Sequence, residues 1–163
     1  AALAKAFGMR VIAHNHRPPR ELPDSIEMAG LDDLFAQCDL LSLHCPFTAN
    51  NPHLVNADRL RQMKPSAPLI NTASGPSITT EALAKPLHKG EIAGAGIDVF
   101  VTEPTSPSLN LLELANVVVS PHCAGVTVES SARTARIAAQ NALDGLDSAL
   151  DEVFVVNREI LFH

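Results

Sequence analysis

Five short apolar runs, alternating with stretches of helical character, constrain the fold more than any other feature of this sequence. They are RVIAH at 10–14, LLSLH at 40–44, PLINT at 68–72, AGIDVF at 95–100 and NVVVS at 116–120. Each is apolar along most of its length, the pattern of a strand covered on both faces. Such strands interleaved with helices predict an α/β fold, a doubly wound parallel sheet. The helical segments fall at 1–7, 31–37, 56–63, 79–87 and 127–146. Gly8 and Gly90 suit the stops of the first and fourth, and Pro65 follows the third. The last is amphipathic, with Ala132, Ala135, Ile137, Ala138, Ala142 and Leu146 on its apolar side.

The 163 residues suit one domain, or one domain with an appendage. Hydrophobic residues make up 46% and charged residues 18%, which permits a real core and is wrong for a disordered chain. Twelve Lys and Arg against 18 Asp and Glu leave a net charge of −6. Such a chain lacks the attraction that drives binding to nucleic-acid backbones and the basic face that anionic lipids recruit. No apolar run approaches the ~18 residues of a membrane span, and no signal segment opens the sequence. Cys38, Cys45 and Cys123 are an odd count without a C-x-x-C pair. That argues against a disulfide framework or a zinc cluster and for a reduced, cytoplasmic protein. The Pro- and Ser-rich stretch VTEPTSPSL at 101–109 is too short to separate domains and reads as a loop beside a site.

Open parallel sheets bind ligands beyond the carboxyl ends of their strands. Here those ends carry Asn15-His16-Arg17, His44-Cys45-Pro46, Ala73-Ser74-Gly75, the segment from Asp98 to Glu103, and Pro121-His122-Cys123. Glu103 and His122 are the sharpest pair. A carboxylate bonded to one imidazole nitrogen fixes the tautomer and raises the proton affinity of the other, which makes His122 a candidate proton donor and acceptor. The competing reading is a loop histidine after a proline and a solvated loop acid. Asp98 ends a strand and either accepts from a ligand amide or caps the next loop. Asn15 stands where dinucleotide-binding sheets place an acid on the ribose hydroxyls; it does not repel a 2′-phosphate, and Arg17 lies two residues on. Ordinary turn chemistry before Pro18-Pro19 explains Asn15 equally well. His14 and His16 form an H-x-H pair without a third ligand, so no metal is expected. Cys45 and Cys123 flank the cleft, where apolar packing is the default for a lone cysteine.

Four segments resemble a known family. LHCPFT at 43–48, MKPSAPLINTASG at 63–75, GEIAGAGIDVFVTEP at 90–104 and NVVVSPHCAG at 116–125 are similar, in order and spacing, to the D-2-hydroxyacid dehydrogenases. These are the phosphoglycerate, hydroxypyruvate and glyoxylate reductase-like enzymes, and the resemblance covers nearly the whole chain. It implies a Rossmann-like cofactor domain using NAD(H) or NADP(H), and a small 2-keto or 2-hydroxy acid as substrate. His122 then exchanges a proton with the substrate hydroxyl while hydride moves between C2 and the nicotinamide, and Glu103 pairs with it. Asp98 corresponds to an Asp that contacts the nicotinamide carboxamide. Cys45, Pro46, Thr72, Ala73, Ser74, His122 and Gly125 correspond to positions lining the cofactor. The resemblance also implies a homodimer in the intact protein.

Two departures from the family pattern stand out. Where the family has an Arg that grips the substrate carboxylate, in a pattern like NTARG, this sequence has Ser74, followed by Pro76. A guanidinium makes two charge-assisted bonds, whereas a serine hydroxyl is neutral and shorter. Losing that contact in a closed site costs roughly 2–5 kcal/mol, or about 30- to 5,000-fold in rate. The second departure is that the glycine-rich G-x-G-x-x-G turn and the central strand before it are not in this sequence. Without that strand, the runs at 10–14 and 40–44 are expected to have no continuous sheet joining them to the other three. The expectation is therefore a partial dinucleotide-binding domain over 1–147, incomplete at its N-terminus. A tail over 148–163 would return towards a substrate domain. A non-catalytic relative of the same fold, binding nucleotide or a protein partner, is the second reading.

Overall fold

Parallel pairing between the apolar runs builds the architecture. The computed structural model describes residues 1–17, 21–23, 25–47, 54–106, 110–147 and 149–157. Thr48, Pro18-Pro19, residues 107–109 of the Pro/Ser-rich loop, and 148 and 158–163 of the tail lie outside the described residues. The chain divides into two compact units, Ala1–His122 and Cys123–His163.

The first unit holds two parallel sheets. β1 (Val11–Ala13) pairs with β2 (Ile26–Met28). β3 (Leu41–Leu43), β4 (Pro68–Asn71), β5 (Gly94–Ile97) and β6 (Val117–Val119) form a four-stranded sheet in that order. The strand at 40–44 therefore joins the others directly, through Leu41 beside Leu69 and Leu43 beside Asn71. This corrects the expected grouping. The discontinuity falls after β1–β2, so only the run at 10–14 is separated from the main sheet. β2 escaped the sequence reading because Ile-Glu-Met is short and its central Glu27 is exposed. It pairs in register through Val11 beside Ile26 and Ala13 beside Met28, and the Arg10 guanidinium makes two-pronged contact with the Glu27 carboxylate at 2.7–2.9 Å.

Three helices lie between the strands: α2 (Leu31–Gln37), α3 (Ala57–Gln62) and α4 (Thr80–Lys89); a shorter α1 (Ala2–Ala6) opens the chain and buries nothing. Phe35, Leu60, Leu83 and Leu87 from the helices pack with Leu41, Leu43, Leu69, Ala95 and Ile97 from the sheet into one core. Burying each of the Phe, Leu and Ile side chains among these stabilises by roughly 1.5–3 kcal/mol. Among the described residues of the first unit, α2, α3 and α4 pack on one face of the sheet in this way. Along the other face Ser42, Ile70, Gly96 and Val118 align by register, and Val118 is 75% exposed.

Helix ends are settled locally. Asn56 caps α3 by accepting from the Arg59 amide at 3.0 Å. Gly90 closes α4 at φ 67, a left-handed conformation that glycine adopts without penalty. Asn116 then donates to the Leu87 carbonyl at 3.1 Å, satisfying a helix-end acceptor. The second unit contains α5 (Val128–Leu146), opened by a reciprocal cap between Thr127 and Ser130. No residue of α5 is buried, and Leu146 is 83% exposed. Among the described residues no helix is long and apolar enough to cross a membrane.

One backbone crossing fixes the loop after β4. Gly75 lies so close to the chain at 100–101 that a Cβ there would collide with the Phe100 carbonyl. Gly75→Ala is expected to destabilise the protein by about 1–3 kcal/mol, because backbone must move to admit the methyl group. Gly145→Ala, in α5 with open space around it, is expected to stabilise by up to about 1 kcal/mol through helix propensity. Denaturant unfolding of both variants checks the contrast; equal effects would refute the crossing.

Candidate active site

The carboxyl ends of β4, β5 and β6 stand side by side because the strands are parallel and in register. Asn71 faces Ile97, and Ile97 faces Val119. The residues that follow each strand therefore converge at one edge. Asp98 continues the ladder by donating its amide to the Asn71 carbonyl at 3.0 Å, and Ser120 donates its amide to Ile97 at 3.0 Å.

His122 and Glu103 meet at this edge. The imidazole Nδ1–H donates to the Glu103 carboxylate Oε2 at 2.8 Å. The other carboxylate oxygen accepts the Phe100 amide at 2.9 Å, so the acid is held from both sides. That bond to Glu103, and then its charge, raise the His122 pKa above 6.5; the Asp98 charge adds a smaller push in the same direction. Glu103 moves the opposite way, below 4.5, chiefly through the bond to His122 and then the Phe100 amide. With Nδ1 committed to the carboxylate, Nε2 is the nitrogen that exchanges protons. His122 is 64% exposed at its side chain and Glu103 37%, so both remain accessible to a ligand. The His122 backbone sits at φ 53, unusual for a residue with a side chain.

Asp98 is nearly fully buried, at 3% exposure. It accepts the Ser120 hydroxyl at 2.5 Å, a short charge-assisted bond. Its carbonyl accepts the His122 amide at 2.9 Å. Ser74 lies in the turn after β4, and Asn71 shapes that turn. The buried Asn71 side chain accepts from the Ala73 and Ser74 amides at 3.1 and 3.4 Å and donates to the Ser74 carbonyl at 2.9 Å. Ala73, Ser74, Gly75, Pro76, Val99, Phe100, Val101, Glu103 and His122 line one cleft of about 270 Å³. No lysine or arginine is among them.

The structure thus brings Ser74, Glu103 and His122 together at one cleft, with Asp98 buried behind His122. Thr72 is exposed in the same turn. Cys45 and Pro46 follow β3 at the same edge without lining the cleft. Asn15 and Arg17 follow β1 and are exposed; the Arg17 amide reaches the Asn15 side chain at 3.4 Å, an Asx-type turn. Gly125 belongs to the second unit. His14 donates Nδ1–H to the Ala29 carbonyl at 3.1 Å. Among the described residues no three His, Cys, Asp or Glu side chains gather as a metal set. The three cysteines form no disulfide, and burial pushes the Cys38 thiol up. Asn71 and Ser120 were not singled out from sequence. Their signal was weak: one polar residue inside or just beyond an apolar run.

This edge can be compared with known proteins. Over 137 residues, 84% of its length, the chain is 44% identical to a glyoxylate reductase of Thermofilum pendens, covering 40% of that protein. It is 39% identical over 163 residues to a glyoxylate reductase of Aeropyrum pernix, covering 48% of it. The chain therefore spans somewhat under half the length of these relatives. The NAD-complexed D-isomer specific 2-hydroxyacid dehydrogenase of Lactobacillus delbrueckii ssp. bulgaricus superposes with a TM-score of 0.84 at 29% identity, over 96% of this chain and 52% of that one. Residues 1–124 match the model of the D-isomer specific 2-hydroxyacid dehydrogenase, NAD binding domain, and with the parallel sheet and the acid–imidazole pair at its carboxyl edge this places the chain in that family.

Proposed function

We propose that the protein to which this chain belongs is an oxidoreductase acting on the CH–OH group of a D-2-hydroxy acid, with His122 as its proton donor and acceptor. The observation that carries the reading is the 2.8 Å bond from His122 to Glu103 at a cleft shared with Ser74. In one direction Nε2 takes the substrate hydroxyl proton; in the other it returns it. Glu103 holds the ring in one tautomer and stabilises the imidazolium. NAD(H) or NADP(H) supplies the hydride acceptor or donor when bound.

The residues present fit such a cofactor. The buried Asp98 carboxylate at the sheet edge accepts hydrogen bonds, as a carboxamide NH₂ requires. Asn71 occupies the Ala73 and Ser74 amides, so the turn offers carbonyl acceptors at Thr72 and Ala73. Cys45 and Pro46 complete the proposed lining within the first unit. Asn15 and Arg17 would meet the ribose end and tolerate a 2′-phosphate. Residues 1–147 serve as the cofactor-binding part, and 148–163 as a tail returning towards the substrate domain of the intact protein. A homodimer and a cytoplasmic location belong to the same proposal and rest on the family resemblance.

Ser74 limits this activity. It stands where the resemblance expects a carboxylate-gripping Arg, and no Lys or Arg is among the described residues lining the cleft. A 2-keto acid carboxylate brought beside Glu103 would meet a like charge there with no guanidinium to offset it. That observation also favours the second reading, a non-catalytic relative.

Three outcomes are expected. Reduction of glyoxylate or hydroxypyruvate by the intact protein, followed as loss of NADH absorbance, should be weak, and Ser74→Arg should raise kcat/KM about 30-fold or more; vigorous turnover without the substitution would contradict the limiting role of Ser74. Calorimetry with NADH and then NADPH, chosen because the chain has no Trp or Tyr, should give no micromolar binding, since no glycine-rich turn is present to hold the pyrophosphate. A micromolar heat would show that this contact is dispensable and would strengthen the binding-module reading. Finally, NMR titration should place the His122 midpoint above 6.5, and Glu103→Gln should lower it. The pair's stabilisation should be present between the two shifted midpoints. It falls away as pH drops through the lowered Glu103 value or rises through the raised His122 value.

A further inference from the structure

His122 is held by more than its side-chain bond to Glu103. Its amide donates both to the Asp98 carbonyl at 2.9 Å and to the Ser120 carbonyl at 3.1 Å. These bonds retain a backbone conformation, φ 53, that a side-chain-bearing residue rarely adopts and that persists only where its surroundings over-determine it. Ser120 acts on both. Its own amide is anchored to Ile97, its carbonyl meets His122, and its hydroxyl meets the buried Asp98 carboxylate at 2.5 Å.

We propose that Ser120 is a positioning residue of this site: by bonding the Asp98 carboxylate and the His122 amide at once, it seats His122 so that the imidazole meets Glu103. The inference rests on the reading of His122 as the proton-transfer group. Without the hydroxyl, a carboxylate that is 3% exposed loses a charge-assisted donor. Loss of that donor disfavours the charged carboxylate in its present place and biases it towards water or towards protonation. Either response disturbs the Asp98 backbone that receives the His122 amide. The charged groups acting on the imidazole are Glu103, on the loop after β5, and Asp98, at the end of β5. Losing the Asp98 charge therefore weakens the imidazolium.

The test compares the parent chain with Ser120→Ala and Ser120→Thr by NMR. The His122 ring signal is assigned by its loss in His122→Gln. In Ser120→Ala the His122 midpoint should fall, and its backbone amide should exchange about five- to tenfold faster, as expected for losing roughly one hydrogen bond. The Leu83 amide in α4 should keep its protection, and Ser120→Thr should restore both His122 readouts. If His122 is unchanged in Ser120→Ala, or if every amide accelerates alike with the midpoint unmoved, Ser120 is merely structural and the proposal fails. Should Ser120→Ala not fold, the change is made in an Asp98→Asn background. An unaltered His122 midpoint relative to Asp98→Asn alone supports action through Asp98, and a further shift refutes it. Neither readout needs turnover, so an inactive chain, which would count against the proposed reaction, still decides the role of Ser120.

Discussion

Register between β4, β5 and β6 is the constraint on which the site depends. Parallel strands bring their carboxyl ends to one edge, and the pairings Asn71–Ile97 and Ile97–Val119 leave Asp98 and Ser120 one residue beyond the ladder. A shift of one residue in either pairing would turn the buried side chains to the opposite face and separate the two. The core enforces the register. Leu69, Ala95 and Ile97 are buried under α3 and α4, so slippage would expose them.

Around that edge, each loop is fixed by a buried polar group or a backbone crossing. Asn71 ties down the turn at 73–74, Gly75 lets that turn press against the chain at 100–101, and the Phe100 amide in turn holds Glu103. The acid–imidazole pair is thus linked through short steps to the same strand ends that carry Asp98 and Ser120. Preorganisation of this kind suits proton transfer, where the ring must present one nitrogen and keep the other occupied. It does not require the side chains themselves to be buried, and both remain partly exposed.

The cleft is unusual in its charge. It has a poised acid–base pair with apolar walls at Val99, Phe100 and Val101, and Ser74 where a cation is expected. The acid–imidazole pair and the neutral Ser74 hydroxyl thus share one lining, and the proposed limit on substrate binding rests on that combination.

Apolar runs of fixed spacing determined the α/β fold, four of the six strands of the main and minor sheets to within a residue or two, and the helices at 31–37 and 127–146. These features are legible because they depend on composition within a few consecutive residues. Glu103 and His122 were legible as candidates because both follow predicted strands, and the family resemblance joined them. The end of the run at 95–100 was overextended, since β5 stops at Ile97 where Asp98 turns towards β6. β2 was missed because a three-residue strand with an exposed glutamate has no run to detect. Only the tertiary structure decided that β3 pairs with β4 and that Asn71 and Ser120 stand beside the site residues. Those outcomes depend on hydrogen bonds and contacts between residues far apart along the chain, such as Ser120 with Asp98, 22 positions apart, whose geometry exists only once the strands are in register.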